Sequence, residues 1–182
     1  MIASHRIDTT RLRLRPPSAA DATEIARLVG NVRVAHWLVR VPVPYRLEHA
    51  RSWIDRSLDE RAAGIGWPFL MERREDRALI GSIDLSIEDD RSSGALGYWI
   101  AESLWGQGYA AEAGAAMLQF AFDIIGLDEV TANVLPENSR SVRVLEKIGL
   151  HHLGRREEET LERGKVDTEF FALRRTTWRG DR

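Results

Sequence analysis

The chain has 182 residues, 43% apolar and 30% charged, which is the length of one domain with enough apolar material for a core, so a disordered polypeptide is excluded. Its 26 Lys and Arg face 28 Asp and Glu, a formal net charge of -2, so the overall basic excess that favours nucleic acid is missing. Cysteine is absent, which rules out a disulfide framework, a Cys nucleophile and a thiolate metal site; no run approaches the roughly 20 apolar residues of a membrane span, and 1–13 hold no signal-peptide stretch, so a cytoplasmic protein is expected.

Arg11-Leu12-Arg13-Leu14-Arg15 alternates strictly and reads as a half-buried strand, stopped by Pro16 and Pro17. Ser18 followed by Asp21 is a capping-box start, and Ile25, Leu28 and Val29 form the helical stripe behind it. Residues 36–46, with Pro42 and Pro44, are irregular. A second helix is expected over 47–63, with Ala50, Trp53, Ile54 and Leu58 on one side and Gly64 after its end. Three strands follow, over 67–72, 78–87 and 95–101, joined by short turns near 75–77 and 89–94 into an antiparallel meander. The pattern then changes to a long helix over 108–125, with Ala110, Ala113, Met117, Phe120, Ala121 and Ile124 at helical spacing and Gly126 at its end. A strand over 130–135, a helix over 139–148 stopped by Gly149, and a closing strand over 166–173 complete the chain. This order holds one strand–helix–strand crossover, from Tyr98 to Asn133, whose two strands should lie parallel.

The most informative stretch joins Gly97-Tyr98-Trp99-Ile100-Ala101 to Trp105-Gly106-Gln107-Gly108-Tyr109-Ala110-Ala111-Glu112. A strand runs into a Gly-rich turn that opens directly into a helix, which makes an anion site. The glycines let the backbone turn and approach a ligand, and the unpaired N–H groups and dipole of the first helical turn favour negative charge. A Cβ at Gly108 would crowd phosphates, so Gly108→Val should weaken binding with little unfolding. Gly106-x-Gly108-x-x-Ala111 also satisfies the dinucleotide fingerprint. Against that reading, the strand follows a meander, too little chain remains for a doubly wound sheet, and Asp128 and Glu129 precede the next strand instead of ending it. No G-K-[ST] follows, so a P-loop is excluded.

Several motifs in order resemble the GNAT superfamily of acyl-CoA-dependent N-acetyltransferases, and within it the subgroup that acetylates ribosomal-protein N-termini. They are Thr10-Arg11-Leu12-Arg13-Leu14-Arg15, Leu79-Ile80-Gly81-Ser82-Ile83, Gly97-Tyr98-Trp99-Ile100, the Gly-rich turn, and Pro136-Glu137-Asn138-Ser139-Arg140-Ser141 running on to Lys147-Ile148-Gly149-Leu150. The resemblance spans about residues 10–178. It implies an α+β fold in a single domain over 1–182: a splayed mixed sheet of about 7 strands flanked by about 4 helices.

The resemblance also implies the site. Backbone groups of Trp99, Ile100 and Ala101 would pair with the pantetheine arm of acetyl-CoA. Trp105, Gly106, Gln107, Gly108, Tyr109, Ala110 and Ala111 would hold its diphosphate. With Trp105 where the superfamily has Gln or Arg, amides and not a cation should recognise the phosphates. Asn138, an N-cap, would also touch the pantetheine. Ser141 would face the sulfur and protonate the departing thiolate, since Leu145 stands where many relatives carry a Tyr. Two common base positions hold Leu96 and Asn133. The carboxylate implicated in the ribosomal subgroup matches Glu159, within a charged run of Glu157, Glu158, Glu159 and Glu162 that also reads as a solvated face. Asp84, on the middle strand, is the second candidate base. Glu112 reads as structural, bonded to nearby backbone. His5, His36, His49, His151 and His152 show no ligand spacing, so no metal is expected.

Trp37, Tyr45 and Trp67 are candidates for an acceptor groove or for core packing, and residues 36–46 are expected to choose the acceptor. The first expectation is transfer of acetyl from acetyl-CoA to a primary amine, a protein N-terminus or else a small amine or aminoglycoside. A non-catalytic acyl-CoA-binding module and a dinucleotide-dependent oxidoreductase are the alternatives. The expected partners are acetyl-CoA and the amine, with a homodimer allowed and neither nucleic acid nor membrane involved.

Overall fold

The computed structural model describes residues 5–160 and 164–180. Leu12 and Leu14, both fully buried, point from one face of a strand while Arg13 and Arg15 stay on the other, as their alternation requires. This is β2 (Leu12–Arg15), and β1 (Ile7–Asp8) pairs with its outer edge. After the prolines, Ser18 and Asp21 close a capping box ahead of α1 (Ala22–Val29), which buries Ile25, Leu28 and Val29. Arg15 reaches Asp21 at 2.7 Å and Glu72 at 3.0 Å, tying this helix start to the sheet.

A four-residue helix, α2 (Val32–Ala35), is capped by the Asn31 side chain and precedes the Pro-containing segment. α3 (Leu47–Ala63) has the expected bounds, but its buried face differs: Ala50, Ile54, Ser57 and Arg61 are inside, and Leu58 is 44% exposed. Spacings of four, three and four residues follow the 3.6-residue turn, and Leu58 falls one position off that line.

The meander is β3 (Phe69–Arg73), β4 (Leu79–Ile87) and β5 (Ser93–Ile100). α4 (Tyr109–Gln119) then leads into a wider π-helical stretch, Phe120–Ile125, ended by Gly126 at φ +88. β6 (Glu129–Val134), α5 (Ser139–Lys147), β7 (His151–Thr160) and β8 (Gly164–Arg174) follow.

Among the described residues eight strands join one sheet in the order β1-β2-β3-β4-β5-β6-β8-β7. The expected seven become eight because β1 is two residues long, too short for any periodicity to show. The fifth helix is the short α2. β7 stands at the sheet edge with most of its residues exposed, so it carries no apolar alternation to locate it. The charged residues 157–159 therefore lie on a strand; Glu162 lies outside the described residues.

Two cores cover the two faces of the sheet. Leu12, Leu14, Phe69, Ile83, Leu85, Met117 and Phe122 belong to the α4 side; Ile25, Ala50, Ile54 and Leu70 pack α1 and α3 on the other. Among the described strands every neighbouring pair is antiparallel except β5 and β6, which are parallel.

Candidate active site

The cleft begins where β5 and β6 part. They pair only through Ser93, Gly94 and Ala95 against Glu129, Val130 and Thr131, although β5 continues to Ile100 and β6 to Val134. Beyond Ala95 the two strands separate and leave a wedge of about 320 Å³ lined by both, by α5 and by the start of α4.

Antiparallel ladders use every second residue of a strand for one neighbour. Ala101 donates its N–H to the Ile80 carbonyl (2.8 Å) and Ser93 accepts from Glu88 (3.0 Å), so the odd-numbered residues between them face β4. The main-chain groups of Tyr98 and Ile100 face the gap. Ile100 thus lies where expected, whereas Trp99 and Ala101 direct their backbone to β4 and Tyr98 takes their place. The Ile100 carbonyl accepts the Trp105 indole N–H at 2.8 Å, which braces the turn against the strand.

The turn needs its glycines. Gly106 and Gly108 sit at φ +78 and +83, where L side chains are strained. A Cβ on Gly106 would meet nothing within 4 Å, so the loop opens onto free space. Gly108 is the N-cap of α4 and supplies no side chain to it; the first intrahelical bond runs from Glu112 N–H to the Gly108 carbonyl (3.0 Å). The amides of Tyr109, Ala110 and Ala111 therefore have no acceptor within the helix and form a positive end beside the wedge. Gln107 and Ala101 do not line the wedge; the other turn residues proposed from sequence, except the fully hydrogen-bonded Glu112, do.

α5 forms the opposite wall. Asn138 caps it by accepting the Ser141 N–H (3.2 Å), and the Ser141 hydroxyl shares a 2.5 Å hydrogen bond with the Tyr98 phenol. Burial pushes the Tyr98 phenol up to about 12, partly offset by that hydrogen bond, so it stays protonated near neutrality. Arg140, Arg143 and Lys147 also line the wedge, and Arg140 lies 4.3 Å above the Trp105 ring. Cations are thus present opposite the amides, contrary to the expectation that amides alone face the anion. Their spacing of three and four residues puts them on one face of α5, a signal present in the sequence.

The candidate carboxylates divide by strand alternation. Glu158 lines the wedge, its side chain 16% exposed, and accepts from Asn133 Nδ2 at 2.7 Å and Arg40 at 3.5 Å. Glu159 is exposed on the other face of β7, across from Lys165, and does not line it. The position implied by the resemblance, Glu159, is one residue from the inward-facing Glu158, and along a strand one residue is a change of face. Asp84 stands on the α3 side of β4 opposite Gly97, whose missing Cβ leaves 3.0 Å to the Asp84 carboxylate. Burial, with nearby Glu60 adding to it and Arg40 and Arg56 opposing it, raises Asp84 to about 7. Among the described residues no hydrogen bond or ion pair engages this carboxylate.

Residues 11–151 match the family model described as an acetyltransferase (GNAT) domain. The chain belongs to the GNAT acetyltransferases. It is similar to an uncharacterized N-acetyltransferase, p20, of Bacillus licheniformis, 25% identical over 174 residues that cover 94% of this chain and 97% of the relative. Two solved structures share its fold. The ribosomal-protein-S5-alanine acetyltransferase of Vibrio fischeri superposes with a TM-score of 0.81 at 18% identity, covering 96% of this chain and 99% of the other. Spermidine N-acetyltransferase of Vibrio cholerae, in complex with CoA and spermine, gives 0.77 at 22% identity, covering 92% and 98%.

In this acetyltransferase the irregular segment 36–46 reaches the site: Trp37, Leu38 and Val39 line the wedge mouth. Tyr45 packs beside α1 and α3, and Trp67 is 5% exposed in the core, so neither stands in the groove. Glu112 is structural, as read, though its partners come from far along the chain. It accepts from Thr9 Oγ1 (2.6 Å) and from the Arg11 backbone N–H (2.7 Å). Among the described residues no helix is long and apolar enough to cross a membrane.

Proposed function

We propose that this GNAT protein transfers acetyl from acetyl-CoA to a primary amine by direct attack in a ternary complex, in the cytoplasm where acetyl-CoA is held. The observation that carries the reading is the wedge between β5 and β6, lined by the uncapped amides of α4, by cations of α5 and by Glu158, with Gly97 in its wall and the Asp84 carboxylate packed against that glycine. These residues fit the donor. The amides of Tyr109, Ala110 and Ala111, with Arg140, Arg143 and Lys147, suit a diphosphate, and the main-chain groups of Tyr98 that face the gap suit the amides of a pantetheine arm. When bound, acetyl-CoA supplies a thioester carbonyl and a fair leaving group.

The rest is done by the chain's own groups. Asp84 takes the proton that the amine must lose, because it is unengaged and raised to about 7, so a useful fraction is ionised at neutral pH. The Tyr98 and Ser141 hydroxyls share a hydrogen bond in which either can donate; with Tyr98 as the donor, the Ser141 proton is left for the departing thiolate. The Ile100 N–H, in the gap, is the donor for charge that develops on the carbonyl oxygen. Glu158, already engaged by Asn133 and Arg40, orients the acceptor side.

A protein N-terminus is the acceptor this reading favours. The fold is shared with a ribosomal-protein acetyltransferase, and the mouth formed by Trp37, Leu38 and Val39 is apolar and open. A small polyamine is the second reading, favoured by the Glu158 carboxylate in the wedge and by the spermidine acetyltransferase of the same fold. Free-thiol release from acetyl-CoA with a panel of N-terminal peptides, polyamines and aminoglycosides tests the proposal. Turnover with at least one class is expected; tight CoA binding with no turnover on any acceptor would favour a non-catalytic module.

Ser141→Ala is expected to lower kcat about tenfold to a hundredfold with CoA affinity unchanged, and Tyr98→Phe to lower it by less, since it removes only the support of the serine. An unaltered kcat in Ser141→Ala would remove the serine as acid. Glu159→Gln, on the exposed face, should leave kcat within about twofold of wild type in the same assay.

A further inference from the structure

Arg11 lies before β2, 96 positions from Gln107, yet its side chain ends on the anion turn. Its Nε donates to Glu112 (2.6 Å), its Nη1 donates to the Gln107 carbonyl (3.0 Å), and its Cζ lies 4.3 Å from the Tyr109 ring centroid. Its Nη2 is 3.5 Å from where a Cβ of Gly108 would stand. One guanidinium therefore contacts Gln107, Tyr109 and Glu112 and stands beside Gly108, spanning the turn and the first turn of α4. A planar, five-donor fork can hold a carboxylate, a carbonyl and a ring face together; an ammonium cannot.

The charge at this point needs compensation. Glu112 sits in the first turn of α4, held below the usual carboxylate range because hydrogen bonds from Thr9 and Arg11 outweigh the effect of burial. Unpaired, that negative charge would stabilise the helix end but repel a phosphate bound there.

We propose that Arg11 is a positioning residue for the diphosphate of CoA: it locks the Gln107 and Gly108 peptides in the shape that points the helix-end amides outward, and it cancels the charge of Glu112 so that the turn stays attractive to an anion. The proposal rests on the CoA reading of this turn. A residue that merely ties β2 to α4 would affect every ligand of the wedge equally. A residue acting on the diphosphate separates CoA from pantetheine, which shares the arm and lacks the phosphates.

The test is calorimetric binding of CoA and of pantetheine to the wild-type protein, to Arg11→Gln and to Arg11→Gln/Glu112→Gln. Arg11→Gln is expected to weaken CoA about tenfold and to leave pantetheine within about twofold, and the double variant to recover most of the CoA loss because no bare carboxylate remains. Equal losses for both ligands, no loss for CoA, or a double variant as weak as the single overturns the proposal. Should Arg11→Gln not fold, Arg11→Lys carries the same comparison: it keeps the charge but cannot hold Glu112 and Gln107 together, so CoA weakens by a smaller factor and pantetheine still does not. Wild-type protein that binds pantetheine and CoA equally would overturn the reading of the turn itself, and this inference with it.

Discussion

Asp84→Asn is expected to lower kcat by about two orders of magnitude, with little change in CoA affinity. The carboxylate has no hydrogen-bond or ion-pair partner among the described residues, lies against Gly97, which lines the wedge, and is raised to about 7 by burial and by Glu60. A base must be ionised to act, so the wild-type rate should rise with pH and level off above about 7, whereas the residual rate of Asp84→Asn should lack that step. A wild-type profile carrying no group near 7, or a variant that retains the step, would dismiss Asp84. The stability effect runs the other way. An acid whose folded-state pKa is raised binds more protons when folded than when unfolded, between its ordinary value of 3.8 and about 7. Folding stability is therefore lost as pH rises through that window. Asn has no charge to desolvate, so the variant should melt above wild type at pH 8, and the difference should shrink as pH falls toward 4. A variant that is both slower and more stable separates a functional strain from simple damage.

Gly108→Val is expected to weaken CoA by at least thirtyfold and to lower Tm by roughly 4–8 °C, corresponding to about 2 kcal/mol. The sequence suggests a loss of binding with little unfolding, because it shows a glycine next to a phosphate site but not its dihedral angle. At φ +83 any L side chain is strained, and a β-branched one more so. Gly126→Val provides the control. Gly126 has φ +88 and open space around its Cβ position, but it caps the far end of the π-helical stretch. It should lose similar stability and keep CoA affinity. If Gly126→Val lost CoA as well, the effect at Gly108 would be one of global stability and not of the anion turn.

Local signals carried much of the fold. The alternation at 11–15, the Ser18 and Asp21 box and the Gly64 stop each depend on neighbours within one or two turns, and each is where expected. So is the crossover, because a strand, a long helix and a strand in that order leave few topologies. The misses are nonlocal. Edge strand β7 is specified by its partner β8 and not by an apolar pattern of its own. Leu58 looked apolar enough for the core, yet the buried line of α3 passes through Ser57 and Arg61.

The glycine turn at the start of α4 was legible because it is local, with glycines that must turn and amides that the first helical turn leaves unpaired; the α5 cations that line the same wedge come from a distant segment and were not. Nor was the choice among carboxylates. Whether Glu158 or Glu159 faces the wedge depends on the register of β7 against β8, and whether Asp84 is a lone, raised carboxylate depends on α3 and β5 packing around it. The sequence by itself determined the elements, their order, the crossover and the glycine turn, since these follow from short-range sterics and periodicity. Only the tertiary structure decided which side chains meet in the wedge, including Tyr98 with Ser141 and Arg11 with the turn, because those pairs lie 43 and 96 positions apart and only the packing of the whole sheet brings them together.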